Sequence, residues 1–277
     1  MGFAKYQEDI VSRYIHDHAV RPNPTSPNKR TRLLGKRETH ATPKQKQRTV
    51  QMSRLKEFVA TSPRPLPVIV LADTSGSMSE NGKIEALNQS LKEMIQTFAT
   101  ESRIRAEIQV GIITFGGTSA EVHLPLTPAH QIIETKPIGA KGATPMGQAF
   151  EAVRKLLEDR DVIPSRAYRP ALILVSDGLP TDDWEKPFAD LRASERAQKA
   201  TRFAMAIGGD ADEAMLAQFT NDREAPVFKA HEARDIHRFF RAVTMSVTSR
   251  TASANPDLAA GINLAELPDD EALDLDF

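Results

Sequence analysis

Between residues 66 and 250, uninterrupted apolar runs alternate with amphipathic stripes, and no other feature of the chain constrains its fold as strongly. Pro67–Ala72 and Ala171–Val175 lack any polar interruption, the pattern of strands covered on both faces. Ile84, Leu87, Leu91, Met94 and Phe98 recur at steps of three and four, the stripe of a helix packed on one side. Glu107–Phe115 and Glu121–Leu126 read as strands joined at Gly116-Gly117, a hairpin signal. Met146–Leu157 reads as a helix with Pro145 in its first turn, and Trp184–Lys199 as one continuous helix. Phe203–Ile207 reads as a strand and Glu213–Phe219 as a helix; Ile236, Phe239, Phe240, Val243 and Val247 supply the buried face of a last helix. Such alternation predicts an α/β, doubly wound, mostly parallel sheet with helices on both faces, the hairpin adding one antiparallel edge strand.

Charge divides the rest of the 277 residues. Arg21–Lys56 carries eleven Lys and Arg against Glu38 alone, whereas Asn255–Phe277 carries seven acidic residues and no basic ones, so the net charge of −1 conceals opposite ends. Four segments follow. Residues 1–18 read as a short amphipathic helix through Phe3, Ile10 and Tyr14; 19–65 as a basic, proline-rich arm with little apolar surface to offset ordering; 66–250 as the α/β domain; and 251–277 as an acidic-hydrophobic tail. The longest apolar runs are far too short to cross a bilayer, so no membrane contact is expected. No basic-then-apolar leader opens the sequence, and zero cysteines remove disulfide frameworks, thiol catalysis and cysteine zinc sites; a cytoplasmic location is expected.

The chemistry concentrates in Asp73-Thr74-Ser75-Gly76-Ser77, which follows a strand and precedes a helix. Open α/β sheets bind ligands beyond the carboxyl ends of their strands, and one carboxylate with two hydroxyls there offers hard oxygen donors suited to Mg²⁺. A second apolar strand ends in Ser176-Asp177-Gly178, and Thr144 lies between glycines just ahead of a helix. A Ser/Gly-rich turn that merely caps its helix is the competing structural reading.

In type and order, Asp73, Ser75, Ser77, Thr144 and Asp177 resemble the metal-ion-dependent adhesion site of von Willebrand factor A domains. The resemblance spans about Pro67–Arg250. Ser176–Trp184, Ile112–Phe115 and the last helix look most like the bacterial TerY-like branch associated with tellurite resistance. It implies a non-enzymatic, metal-dependent interaction module of a bacterial stress-response or defence system. Mg²⁺, or alternatively Mn²⁺ or Ca²⁺, would be bound by Ser75, Ser77 and, when ligand is engaged, Thr144, with Asp73 and Asp177 acting directly or through water. A partner protein would contribute an Asp or Glu carboxylate to the metal. A Ser/Thr kinase and a phosphatase are further implied partners, with hydroxyls of the basic arm as phosphate acceptors. The site is expected to face solvent, so that Asp73→Ala or Asp177→Ala leaves folding nearly intact.

Two other readings compete. The arm at 19–56 could attract nucleic acid, although no Phe, Tyr or Trp lies between Tyr14 and Phe58 to stack on bases. Metal-assisted phosphoester hydrolysis needs a positioned base, and the nearest candidates by chain order, His123 and His130, fall on segments expected at a sheet edge. Gly142–Gly147 lacks the Gly-Lys-Ser/Thr ending of a phosphate loop.

Overall fold

A computed structural model of the chain describes residues 63–101, 103–220 and 227–257; the expected N-terminal helix, nearly all of the basic arm and most of the acidic tail lie outside them. Six strands form one sheet in the order β3-β2-β1-β4-β5-β6: β1 (Arg64–Asp73), β2 (Ala106–Gly116), β3 (Ser119–Pro128), β4 (Ala171–Ser176), β5 (Thr201–Ile207) and β6 (Phe228–Ala230). All neighbours pair in parallel except β2 and β3, so the hairpin supplies an antiparallel edge. The fold is the doubly wound α/β architecture that the alternation implies.

Alternate strand residues feed two cores. Val68, Val70 and Ala72 of β1 pack with Ile173 and Val175 against helices α1 (Lys83–Thr100) and α6 (Ala233–Ala252), where Leu87, Leu91, Met94, Phe239 and Val243 are buried. Ile69 and Leu71 pack with Leu172 and Leu174 against the opposite layer of α2 (Met146–Glu158), α3 (Glu185–Ala193), α4 (Glu195–Lys199) and α5 (Glu213–Thr220). Burial on both faces is why β1 and β4 read as unbroken apolar runs. Phe150 is fully buried in the second core, its ring 4.9 Å from that of Phe188 and 6.3 Å from that of Phe219. Phe150→Ala is expected to cost about 3–5 kcal/mol in urea unfolding, with the drop in midpoint as the check.

The structure corrects one expected element. Trp184–Lys199 is two helices, broken at Ser194, which adopts an extended φ of −65° and ψ of 125°. Phe188 and Leu191 are buried together, but in a continuous helix Ala197 would lie about 120° from Leu191 and about 180° from Phe188. The break turns Ala197 inward, and Arg202 of β5 secures it: its Nε and Nη2 donate to the Ala197 carbonyl at 3.1 and 2.6 Å, its Nη1 to that of Phe219 at 3.1 Å. Burial lowers the Arg202 pKa to about 10. The three-residue β6 has no counterpart in the sequence pattern. Among the described residues, no helix is long and apolar enough to cross a membrane.

Candidate metal centre

The chain passes from β1 to β2 on one side of the sheet and later to β4 on the other, so the strand order reverses between β1 and β4. Such a switch point opens a crevice at the carboxyl ends of the strands. Register places the pieces: Ala72 lies opposite Val175, so Asp73 emerges beside Ser176. Ser176 Oγ donates to Asp73 Oδ2 at 2.7 Å, and the Ser75 N–H donates to Asp73 Oδ1 at 2.8 Å. Both carboxylate oxygens are engaged, and the residue is fully buried. Asp73 thus clamps the start of its loop.

Beyond the clamp, Ser75 is the N-cap of a 3-10 turn, Gly76–Ser79, and its hydroxyl and that of Ser77 face the loop after β4, here the third loop of the site. Ser77 Oγ donates to Asp177 Oδ1 at 2.8 Å and Ser75 Oγ to the same oxygen at 3.2 Å; the two hydroxyls are 3.1 Å apart. On the far side, Lys83 Nζ donates to Asp177 Oδ2 at 2.8 Å. Thr144 stands outside this network of hydroxyls: its N–H donates to Thr181 Oγ1 at 2.9 Å, and its carbonyl accepts from the Thr181 N–H at 3.0 Å. Its hydroxyl borders the Asp177 loop, 3.7 Å from where a side chain on Gly178 would begin.

Backbone contacts fasten the loops to each other. The Gly76 N–H donates to the Gly142 carbonyl at 2.8 Å, and the Lys141 N–H to the Thr74 carbonyl at 2.6 Å. Gly142, at φ +61°, lies so close to Gly117 that a Cβ would come within 2.8 Å of its Cα. Asp182 caps α2 from the third loop, its Oδ1 and Oδ2 accepting from the N–H groups of Gly147 and Gln148 at 2.9 and 3.0 Å. Those donors have no partner within the helix, and Pro145 ahead of them offers no capping side chain. Asp182→Ala is expected to cost about 1–2 kcal/mol in urea unfolding. A loss indistinguishable from zero would show that water replaces the cap.

The expectation of a solvent-facing site is corrected in part. Asp73, Ser75, Thr144 and Asp177 are 0, 3, 5 and 2% exposed, and of the five candidates only Ser77 is exposed. The cluster forms the floor of the crevice because β1 and β4 end under loops tied to one another. Burial pushes the Asp73 carboxyl from 3.8 up to about 6; the hydrogen bonds from Ser176 and Ser75 oppose that rise, and the charge of Asp177 adds to it. Because the folded pKa lies above the unfolded one, the folded state holds this proton longer. The associated stability is complete below about 3.8 and is lost as pH rises through about 6, amounting to about 3 kcal/mol at most. In EDTA, Asp73→Asn is expected to flatten this part of the pH–stability curve. Superimposable curves for variant and wild type would contradict the assignment.

The donor chemistry fits a small divalent ion. Oxygens on adjacent corners around Mg²⁺ lie about 2.9 Å apart, given bonds of about 2.0–2.1 Å. The triangle of Ser75 Oγ, Ser77 Oγ and Asp177 Oδ1, with edges of 3.1, 3.2 and 2.8 Å, has that size. Sequence reasoning did not assign Ser176, Thr181, Asp182 or Lys83. Only Lys83 left a signal: a cation at the first position of a helix, where an acid is favoured.

Residues 68–179 match the family model for the von Willebrand factor type A domain. Two solved structures of proximal thread matrix protein 1 from the mussel byssus share the fold. One is 18% identical with a TM-score of 0.53, covering 68% of this chain and 49% of that one. The other, described as having a zinc-occupied metal-ion-dependent adhesion site motif, is 16% identical with a TM-score of 0.51, covering 68% and 48%. A von Willebrand factor type A protein from Catenulispora acidiphila is 20% identical with a TM-score of 0.51, covering 67% and 42%. The chain therefore spans about half or less of the length of these structures. No curated protein sequence matches it. Residues 68–179 thus match that family model, and the α/β architecture is the one these solved structures share.

Proposed function

We propose that this chain is a non-enzymatic, divalent-metal-dependent protein-interaction module. The observation that supports it most is the triangle of oxygens from Ser75, Ser77 and Asp177 at the switch point of the sheet. Mg²⁺ held there supplies a positive centre with an exchangeable position for an Asp or Glu carboxylate of a partner protein. Ser75, Ser77 and Asp177 hold the ion, Asp73 fixes the loop from behind, and Thr144 joins when its loop closes on the engaged ligand. The zinc-occupied motif named for the mussel protein is in keeping with this donor set.

A hydrolytic role would need a base, and among the described residues neither histidine candidate belongs to the cluster. His123 is on the edge strand β3, its Nε2 2.8 Å from the Lys136 carbonyl oxygen, and His130 follows in a short 3-10 turn. The likeness of Ser176–Trp184 to the TerY-like branch supports a setting in a cytoplasmic bacterial stress-response, kinase–phosphatase signalling or defence system. In that setting the acidic partner is a component of the same complex.

The test is a tagged full chain used to capture its partner in Mg²⁺ and in EDTA, beside a Ser75→Ala, Ser77→Ala double variant. Capture that disappears with chelation and with the double variant is the expected result. Capture indifferent to both contradicts the proposal.

A further inference from the structure

We infer that Lys83 is a tethered counter-cation of this centre, which weakens binding of the metal alone and makes metal and acidic ligand bind as a pair. The inference rests on the metal-centre reading above and adds the way that centre is regulated.

Lys83 opens α1, an 18-residue helix whose N-terminus carries the positive end of the helix dipole. Like α3, α4, α5 and α6, α1 has an acid in its first turn, Glu85, but Lys83 stands ahead of it at the first helical position. The Lys83 charge gains nothing from the positive end of the dipole, and its ammonium reaches Asp177 instead. Asn81 and Gly82 adopt φ of 54° and 71°, two successive positive-φ residues just before Lys83. A non-glycine residue in that region is uncommon and costs conformational energy.

The side chain then lies over the centre. Its Nζ is 2.8 Å from Asp177 Oδ2 and 3.4 Å from the Ser77 carbonyl oxygen, the side chains being 16% and 0% exposed for Lys83 and Asp177. Asp177 thus divides its two oxygens: Oδ1 faces the serine hydroxyls and Oδ2 faces the ammonium. Any divalent ion gathered by Ser75, Ser77 and Asp177 is placed close to a fixed positive charge.

Charge counting gives the consequence. With both carboxylates ionised, Asp73, Asp177 and Lys83 sum to −1; a divalent ion brings the centre to +1, and an incoming carboxylate brings it to neutrality. Without Lys83 the loaded centre is already neutral, and a carboxylate makes it −1. Lys83 therefore disfavours the ion alone and favours the ion together with an acidic ligand, which is a coupling between two ligands at one site.

The measurement is isothermal titration of Mg²⁺ into the full chain at neutral pH for wild type, K83M and K83R. K83M keeps the length of the side chain and removes its charge; K83R keeps the charge. K83M is expected to bind Mg²⁺ about tenfold more tightly than wild type, and K83R to stay near wild type. In excess acetate, as a carboxylate probe, wild-type affinity for Mg²⁺ is expected to rise by a larger factor than that of K83M. Equal or weaker Mg²⁺ affinity in K83M, or an equal acetate effect in both, overturns the inference while leaving the metal centre standing. If wild type, K83M and the Ser75→Ala, Ser77→Ala variant all show no heat of Mg²⁺ binding, the metal-centre reading itself fails.

Discussion

Asp177→Ala is expected to abolish the thermal stabilisation that saturating Mg²⁺ gives the full chain. Asp177 joins three polar groups of the cluster: both serine hydroxyls on one oxygen and Lys83 on the other. In wild type, free metal at a hundredfold excess over its dissociation constant stabilises the fold by about 2.7 kcal/mol. For a domain of this size that is a rise of about 5–10 °C in Tm. The variant loses the rise and also melts lower in EDTA, because Lys83 is left without its carboxylate and the two hydroxyls without their acceptor, at a cost of about 1–3 kcal/mol. Asp177→Asn separates the effects, since it keeps the shape and removes the charge. Differential scanning fluorimetry with Mg²⁺ and with EDTA reads both. A full Mg²⁺ response in Asp177→Ala would remove this residue from the metal centre.

Gly116→Ala is expected to be nearly as damaging, although position 116 carries no functional group. A Cβ there would lie 2.3 Å from Thr74 Oγ1, 2.5 Å from the Thr74 carbonyl oxygen and 2.7 Å from its carbon. The hydroxyl could rotate, but the backbone atoms could not follow. The Thr74 N–H donates to the Phe115 carbonyl at 2.9 Å, and the Thr74 carbonyl accepts from Lys141 at 2.6 Å. Relief requires moving the loop that carries Ser75 and Ser77 together with the loop that carries Thr144. The expected cost is about 3–5 kcal/mol in urea unfolding, with loss of the Mg²⁺ response in whatever folded protein remains. A loss below about 1 kcal/mol would mean that β2 shifts to accept the methyl group.

Gly116 also marks where the sequence stops being readable. Gly116-Gly117 signals a hairpin, and a hairpin is there, with Gly117 at φ +69°. That Gly116 is needed for its missing side chain, because β2 ends against Thr74, depends on the pairing of β1 with β2 and leaves no local trace. The same distinction runs through the molecule. The central strands are legible because both of their faces are buried, so their composition alone declares them. β6 is not, since three residues hold no period. The break at Ser194 was hidden because the helix-forming residues around it suit either a continuous or a broken helix, and only the sheet decides where Ala197 must point.

The centre divides in the same way. Asp73, Ser75, Ser77 and Asp177 were legible as types and order, and the structure gathers them at the switch point. Their burial was not legible, since it follows from the loops being bonded to one another across long separations in sequence. Nor was the division of labour between the two carboxylates. Asp73 spends both oxygens on its own loop and on Ser176, while Asp177 meets the hydroxyls and the lysine. The register of β1 with β4 creates that difference, by setting Ser176 beside Asp73 and aiming the next residue into the crevice.

The central claim is that Ser75, Ser77 and Asp177 hold a divalent ion. An anomalous difference map from crystals of the full chain grown with Mn²⁺ addresses it most directly. The account predicts one strong peak within bonding distance of Ser75 Oγ, Ser77 Oγ and an oxygen of Asp177, absent from Ser75→Ala, Ser77→Ala crystals. A map with no peak there, or with Mn²⁺ bound only elsewhere on the surface, would contradict it.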